Sequence, residues 1–455
     1  MMLLRFAFAN HKSFRDEADL TFARPSMVRP NGVDAAASAS TVVAIYGPNA
    51  SGKSGIISAL NYATNLILDS SRSAKKRKGM HRKPFALDEH SQSEPSSYVL
   101  GFVEGDTEYE YGFSVSKLRV EEEWLYSFPK GRKRVLFERD SDGLIEFGRF
   151  LGGATAVIQK GLERNELVLS RGALVSHSLL ERIESALTGH ISVANFSESD
   201  RSKRLRVVIS DVLSGDLSFE DLRLMLRVAD VGISDAAVEK EETSPEIVRT
   251  VKAVMAATAT DGSEGMSDEE LEKILEQAAR HLVFTHAGAE NGEFSLRSTD
   301  QSTGTLAWIS LAAPAIKALR SGGVLAIDEL DASLHPQLAQ VMVKMFKDET
   351  INTRRAQLIF TTHDTFFLSP VSELDLSPRE VWFVEKAADG SSEAFSLADF
   401  NPRADQNISR RYLQGRYGAV PSVAPSFLAS LASAPVFEVD PEKSMVLTHG
   451  EAEND

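Results

Sequence analysis

An α/β fold, with a mixed sheet flanked by helices and an antiparallel β layer beside it, is predicted by three observations. An apolar strand at residues 42–46 runs straight into Gly47-Pro48-Asn49-Ala50-Ser51-Gly52-Lys53-Ser54 and then into an apolar helix. A second short apolar run, 323–327, ends in Asp328-Glu329, and a third, Gln357–Thr361, delivers Thr362-His363. Short, wholly apolar strands separated by helical patterns belong to a sheet buried on both faces.

Taken in order, residues 3–8 alternate as a strand, Asn10-His11-Lys12-Ser13-Phe14 reads as a turn, and 20–22 as a second strand. Residues 24–41 are rich in Pro, Ala and Ser and read as a loop. The helix after the glycine-rich loop extends to about residue 69. Residues 72–83 form a basic island, either a solvated loop or a contact for a phosphate backbone or an acidic partner. From 98 to 147 the chain is strand-like, with β-branched and aromatic runs at 98–103, 108–115 and 135–137 separated by Gly- and Asp-rich turns.

From about 155 to 285 the apolar period becomes helical, at 179–187, 222–226 and 271–282, with polar breaks at 239–244 and 258–267. No long heptad array is present, so a compact helical insertion is expected rather than a coiled-coil arm. Strands then follow at 283–284 and Glu293–Arg297, a helix at 306–319, the strand before Asp328, and a helix at 336–346 with Pro336 suited to its first turn. Further strands fall at Gln357–Thr361 and 380–384. The expected organisation is a core split into 1–154 and 286–421 around the insertion at 155–285, with an acidic, Ala/Ser/Pro-rich tail at 422–455 expected to be disordered.

Composition narrows the function classes. The chain has 455 residues, with 50 basic against 65 acidic side chains and a net charge of −15, so any polyanion contact must be local. It has no cysteine, which excludes disulfides, thiolate zinc sites and a cysteine nucleophile and fits a reducing cytoplasm. Residues 1–8 are apolar but too short for a cleaved leader, and no run approaches the roughly 20 residues that span a bilayer, so no membrane association is expected.

The loop Gly47–Ser54 is a phosphate-binding loop in its strand–loop–helix context. Gly47 and Gly52 let the backbone turn and approach an anion, and the N–H groups of the loop and helix start point at phosphate oxygens. Lys53 would place its charge on the β- and γ-phosphates and Ser54 a hydroxyl on Mg²⁺. Asp328 would hold the same ion, while Glu329 is placed to orient or deprotonate an attacking water. Gln301-Ser302-Thr303-Gly304-Thr305 precedes a helix, where Ser302 and the Gly304 N–H could bind a phosphate or merely cap the helix. His363, at a strand end one helix and one strand after the carboxylates, sits where a γ-phosphate sensor would lie at the carboxyl edge of an open sheet.

These pieces in this order resemble the ABC-type ATPases of the branch that holds RecF, SMC and the overcoming-lysogeny nucleases. The resemblance makes Gly47–Ser54 Walker A, Ser302–Gly304 the signature, Asp328-Glu329 Walker B, Asp331 the D-loop aspartate and His363 the switch histidine. It places Asn10–Phe14 near the nucleotide, with His11 where the family has an aromatic. The signature departs from Leu-Ser-Gly-Gly, and the Q-loop glutamine has no clear place in the sequence, Gln92 being a candidate that sits in a polar loop. A narrower likeness is to standalone ATPases of bacterial two-gene phage-defence and abortive-infection systems. It rests on Asp328–Pro336, on the run from Gln357 to Asp364 and on the run from Tyr412 to Pro421.

The resemblance implies an ATP- and Mg²⁺-dependent ATPase that forms a homodimer or higher homo-oligomer through ATP, with one copy's signature closing the other's nucleotide. Only scattered carboxylates, Asp375, Asp389, Asp399 and Asp405, follow His363, so a separate nuclease or toxin effector is expected, with DNA or a phage protein as trigger. The insertion and Arg410, Arg411 and Arg416 are candidate docking surfaces. The alternative implied function is a RecF-like repair ATPase that clamps duplex DNA.

Overall fold

The computed structural model describes residues 1–23, 36–74, 79–195, 197–229, 232–241, 276, 279–288, 292–332, 334–403 and 405–420. Residues 75–78 of the basic island, 271–275 and 277–278 of the third helical pattern, and the tail lie outside the described residues. The first strands are β1 (Met2–Ala9), β2 (Ala18–Thr21), β3 (Val42–Tyr46), β4 (Ser96–Glu104), β5 (Thr107–Val115), β6 (Val120–Ser127), β7 (Arg134–Arg139) and β8 (Ile145–Phe147). The rest are β9 (Ile191–Ala194), β10 (Ile233–Lys240), β11 (Arg280–Ala287), β12 (Glu293–Arg297), β13 (Val324–Ile327), β14 (Gln357–Thr361), β15 (Val381–Lys386) and β16 (Ser392–Ser396). The helices are α1 (Lys53–Ser73), α2 (Glu89–Ser93), α3 (Thr155–Lys160), α4 (Val168–Leu174), α5 (Ser178–Gly189), α6 (Glu198–Ser214), α7 (Phe219–Ala229), α8 (Thr303–Ser321), α9 (Pro336–Lys347) and α10 (Ile408–Leu413).

The central sheet has the order β16-β15-β3-β14-β13-β9. Every pair from β15 to β9 is parallel, and β16 closes one edge antiparallel. The strand that delivers His363 therefore lies between the loop strand and the Asp-Glu strand, with Leu358 opposite Val42 and Val324 opposite Gln357. This is the mixed, helix-flanked sheet expected from the short apolar runs.

Its two faces are both buried. Val42, Ala44, Tyr46, Leu325, Ile327, Leu358 and Phe360 turn to one core together with Trp308, Met342 and Phe346. Val43, Ile45, Val324, Ala326 and Ile359 turn to a second core shared with Ile57, Leu60 and Ile67 of α1. At roughly 1.5–3 kcal/mol for each fully buried aliphatic side chain, α1 alone is anchored by several such groups.

The antiparallel layer has the order β2-β1-β4-β5-β6-β7-β8. Two polar staples join it to the central sheet. At the base, the buried Gln357 side chain accepts from Leu3 N–H at 2.7 Å and donates to Leu3 O at 2.9 Å and Ser40 O at 3.0 Å. At the other end, Ser392 donates its N–H to Ser13 O at 2.7 Å and its hydroxyl to Ser51 O at 2.6 Å.

The insertion is less purely helical than its periodicity suggested. It carries β9, a four-residue strand that extends the central sheet, and β10, which pairs with β11 and β12 in a small third sheet. Leu282, read as the end of a helix, is in β11, where Leu282, Val283 and Phe284 are all buried. Its helices also divide between the two faces: Leu180, Ile183 and Leu187 of α5 join the α1 core, while Val208, Leu222 and Leu226 join the Trp308 core. The Trp308 indole donates to Met225 O at 2.8 Å and fixes α7 against α8.

Candidate functional site

The parallel strands end at one edge, and that edge carries the chemistry. After β3 the chain turns through Gly47, with φ near 157°, and Gly52, with φ 114°. A Cβ on Gly47 would stand 2.4 Å from Val384 O, and one on Gly52 would stand 2.5 Å from Ser392 Oγ. Only glycine fits either place. Gly52 then caps α1 with no side-chain acceptor and no acidic residue in the first turn, which leaves the first N–H groups of a 21-residue helix for an anion. The Ser51 hydroxyl beside them is buried with no hydrogen-bond partner. Pro48 accepts the Ser51 N–H at 3.2 Å, and Asn49 and Ala50 form the exposed tip, Ala50 with φ 62°.

Lys53 is only 5 % exposed. Its ammonium donates to Gly47 O at 2.9 Å and Pro48 O at 3.1 Å and lies 3.0 Å from His363 Nε2. Burial pulls its pKa down to about 8, against the opposing charges of Glu329, Asp328 and Asp331. Burial and the Lys53 charge also lower the His363 pKa, so the ring is the neutral acceptor for the lysine.

The Asp-Glu pair is fixed by the neighbouring strand. The Thr361 hydroxyl, fully buried, donates to Asp328 Oδ1 at 2.7 Å and accepts the Glu329 N–H at 2.7 Å. Glu329 has φ 53°, a left-handed conformation that costs a non-glycine residue about 1–3 kcal/mol. The Leu330 N–H to Thr361 O bond at 3.0 Å holds that turn, and the Asp331 carboxylate accepts the His363 N–H at 3.2 Å.

A cleft of about 480 Å³ opens beside these groups, lined among others by Ser54, Asp328, Glu329, Lys12, Lys83 and Asn195. Burial and then the Lys83 charge depress the Lys12 pKa, with Asp328 opposing them. The Lys12 N–H donates to Lys83 O at 2.6 Å, and the Asn10 side chain donates to Ser91 O at 2.6 Å, so the 10–14 turn and the 83–96 segment form one wall. His11 fills the aromatic position inside that wall, bonded to Tyr98 Oη at 2.8 Å and packed on Phe8 and Tyr62. Its burial pushes the pKa down to about 3, so it packs as a neutral ring.

The site fits a phosphorylated ligand: two glycine cradles that a Cβ would fill, uncapped helix N–H groups, an unpartnered buried hydroxyl and a desolvated ammonium. Among the described residues no three His, Asp or Glu groups are arranged to hold a metal by themselves. Ser54 and Asp328 both line the cleft, and as two oxygen donors they would suit an ion that takes its remaining ligands from phosphate and water.

Of the residues singled out from sequence, Gly47–Ser54, Asp328, Glu329, Asp331 and His363 come together. Ser302 and Gly304 do not join them. They lie at the start of α8, where Ser302 Oγ accepts the Thr305 N–H at 3.1 Å as an ordinary cap. Gln92 belongs to the 83–96 wall but is used within it: its side chain donates to Ala86 O at 2.9 Å and its carbonyl accepts from Arg82, which closes its own loop. Sequence reasoning assigned no role to Thr361 or Asn195, and placed Lys83 only in the basic island, as a solvated residue or a contact for a phosphate backbone or an acidic partner, not in the nucleotide cleft.

Residues 42–369 match the model of the family described as "AAA domain, putative AbiEii toxin, Type IV TA system". The match runs from β3 past His363 and spans the Gly47–Ser54 loop, Asp328-Glu329, Asp331 and His363; the 10–14 turn of the cleft wall lies before it. No curated protein matches the chain. No helix of the described residues is long and apolar enough to cross a membrane.

Proposed function

The chain belongs to this AAA-domain family, an ABC-like ATPase family related to abortive-infection systems, and from that premise we propose that it is the ATP-binding and ATP-hydrolysing subunit of a bacterial antiviral defence system. It pairs through ATP with a second copy and controls a separate nuclease or toxin effector. The observation that carries this reading is the convergence of Lys53, the Asp328-Glu329 pair and the Asp331-held His363 at the edge of three adjacent parallel strands.

In this reading Lys53 exchanges the Gly47 and Pro48 carbonyls for the β- and γ-phosphates. Ser54 and Asp328 would hold Mg²⁺, which would supply charge neutralisation. Glu329, oriented by Thr361, takes the proton of the attacking water. His363 hydrogen-bonds the γ-phosphate end, and Asp331 keeps its backbone in place. Lys12 adds a second cation on the cleft wall. Ser302 and Gly304 close the site of the other copy. The proposed organisation keeps 1–154 and 286–421 as the core, with the 155–285 insertion and Arg410, Arg411 and Arg416 as surfaces for the effector.

Mass by light scattering tests this. With a non-hydrolysable ATP analogue and Mg²⁺ the unsubstituted chain is expected to double in mass. Ser302→Arg should block the doubling while nucleotide binding to the single chain persists. A monomeric mass for the unsubstituted chain, or unimpaired doubling with Ser302→Arg, would overturn the sandwich.

Lys53 gives a pH prediction. Its pKa lies at about 8 and phosphate favours the protonated amine, so the complex titrates at higher pH than the free site. ATP affinity is expected to hold between pH 7 and 8 and to weaken by about tenfold per unit above it, until the complex itself titrates. Calorimetric titrations at pH 7, 8 and 9 check it. Equal affinity at all three would place the Lys53 charge outside the contact.

A further inference from the structure

A cluster of cations lies far from the nucleotide cleft, and nothing above uses it. The β6–β7 hairpin has the tip Phe128-Pro129-Lys130-Gly131-Arg132-Lys133, and Arg134 opens β7. The tip is a defined turn: Lys130 and Gly131 take φ 54° and 73°, the Gly131 N–H donates to Phe128 O at 3.0 Å, and the Phe128 N–H donates to Glu108 O at 2.8 Å. Arg149 arrives beside it just after β8. Lys130, Arg132, Lys133, Arg134 and Arg149 are all exposed.

None of the five has an ion pair among the described residues. Arg5, Arg15, Arg119, Arg223 and Arg320, by contrast, are each paired to a carboxylate. In a chain of net charge −15, a knot of unpaired cations is an unsatisfied electrostatic feature. Aromatic rings hold three of the five in place. The Arg134 and Arg149 guanidiniums stack over Phe150 at 4.6 and 4.7 Å from its centroid, and the Lys133 ammonium sits 3.4 Å over Tyr126. A stacked guanidinium keeps its N–H edges free and loses less freedom when it bonds a phosphate.

We propose that this hairpin, with Arg149 and Phe150, is a docking surface for the phosphate backbone of a nucleic-acid duplex. The rings already carry cations, so they order the phosphate-binding groups and do not serve as stacking platforms for bases; that suits a duplex, whose bases are paired inside. The surface is independent of the nucleotide reading. β1 runs from Met2, beside Val103, to the Asn10–Phe14 turn at the cleft, and the hairpin lies at the Val103 end of the layer. Eight residues of strand, at about 3.3 Å each, separate the two.

The test is fluorescence anisotropy of a labelled 20-base-pair duplex with the full chain, without nucleotide, from 50 to 200 mM salt. Five phosphate contacts predict a slope near −4.5 in log K against log salt, or a loss of about 500-fold over that range. The triple variant Arg132→Glu, Arg134→Glu, Arg149→Glu should bind at least about 100-fold more weakly, with a flatter slope. A control with the same change in net charge, Arg206→Glu, Arg227→Glu, Arg379→Glu, should bind within a few-fold of the unsubstituted chain. Thermal melts of both variants confirm folding. No binding by the unsubstituted chain at 50 mM salt, equal loss in both variants, or competition by polyglutamate as strong as by unlabelled duplex would each overturn the proposal. None of these results bears on ATP-driven doubling, which is measured separately.

Discussion

Chains carrying Glu329→Gln are expected to hydrolyse ATP about 10²–10⁴-fold more slowly, the usual contribution of a positioned general base. Their ATP affinity should be unchanged and their dimer should persist in ATP. The geometry makes the substitution clean. Glu329 stands in a left-handed turn whose N–H is held by the Thr361 hydroxyl and whose next N–H is held by Thr361 O. Glutamine preserves the size and keeps those backbone bonds, so what is lost is the carboxylate's ability to take a proton. Single-turnover phosphate release and light scattering on the same sample read the two parts. Turnover within threefold of the unsubstituted chain would remove Glu329 from the chemistry, and a monomer in saturating ATP would count against the dimer.

The second large effect is on stability. Glu123 is fully buried and its carboxylate accepts the Val168 N–H at 2.6 Å, the Leu169 N–H at 3.0 Å and the Tyr111 hydroxyl at 2.9 Å. It fastens the start of α4 to the antiparallel layer. Glu123→Ala strands two backbone donors and a phenol in the core and is expected to cost about 3–5 kcal/mol. That is a large part of the about 5–15 kcal/mol that usually holds a protein folded. Burial pushes the Glu123 pKa up to about 7, against the hydrogen bonds and the Arg139 charge that oppose it. Its folded pKa exceeds the unfolded value, so the native state holds the proton more tightly. The stability from this proton is complete below about pH 4.5 and is lost as pH rises through 7. The gap in urea midpoint between the unsubstituted chain and Glu123→Ala should therefore be wider at pH 5.5 than at pH 8. A gap that widens towards alkaline pH would reverse the assignment.

How much of this was legible in sequence depended on how local the signal was. The phosphate loop was readable because strand, glycines, lysine and helix are contiguous, and the carboxylates and His363 because each ends a short apolar run. The β6 strand was not, because Glu121-Glu122-Glu123 hides the apolar alternation and one of those glutamates points into the core. The four residues of β9 are too few to carry a period, and only pairing with β13 makes them a strand. The role of Thr361 needs the lateral order of strands, which no linear pattern contains. The separation of Ser302 from Lys53 was implied only by resemblance, since a helix start looks alike whether it serves its own chain or another.

The two staples between the layers have a mechanical consequence. A sheet fastened at one end only could swivel on its neighbour, but this one is riveted at Leu3 by Gln357 and at Ser13 by Ser392, whose hydroxyl also grips the loop at Ser51. A displacement of the outer layer at Ser13 would therefore be felt at Ser51, through the backbone and hydroxyl of the one residue, Ser392, that bonds to both.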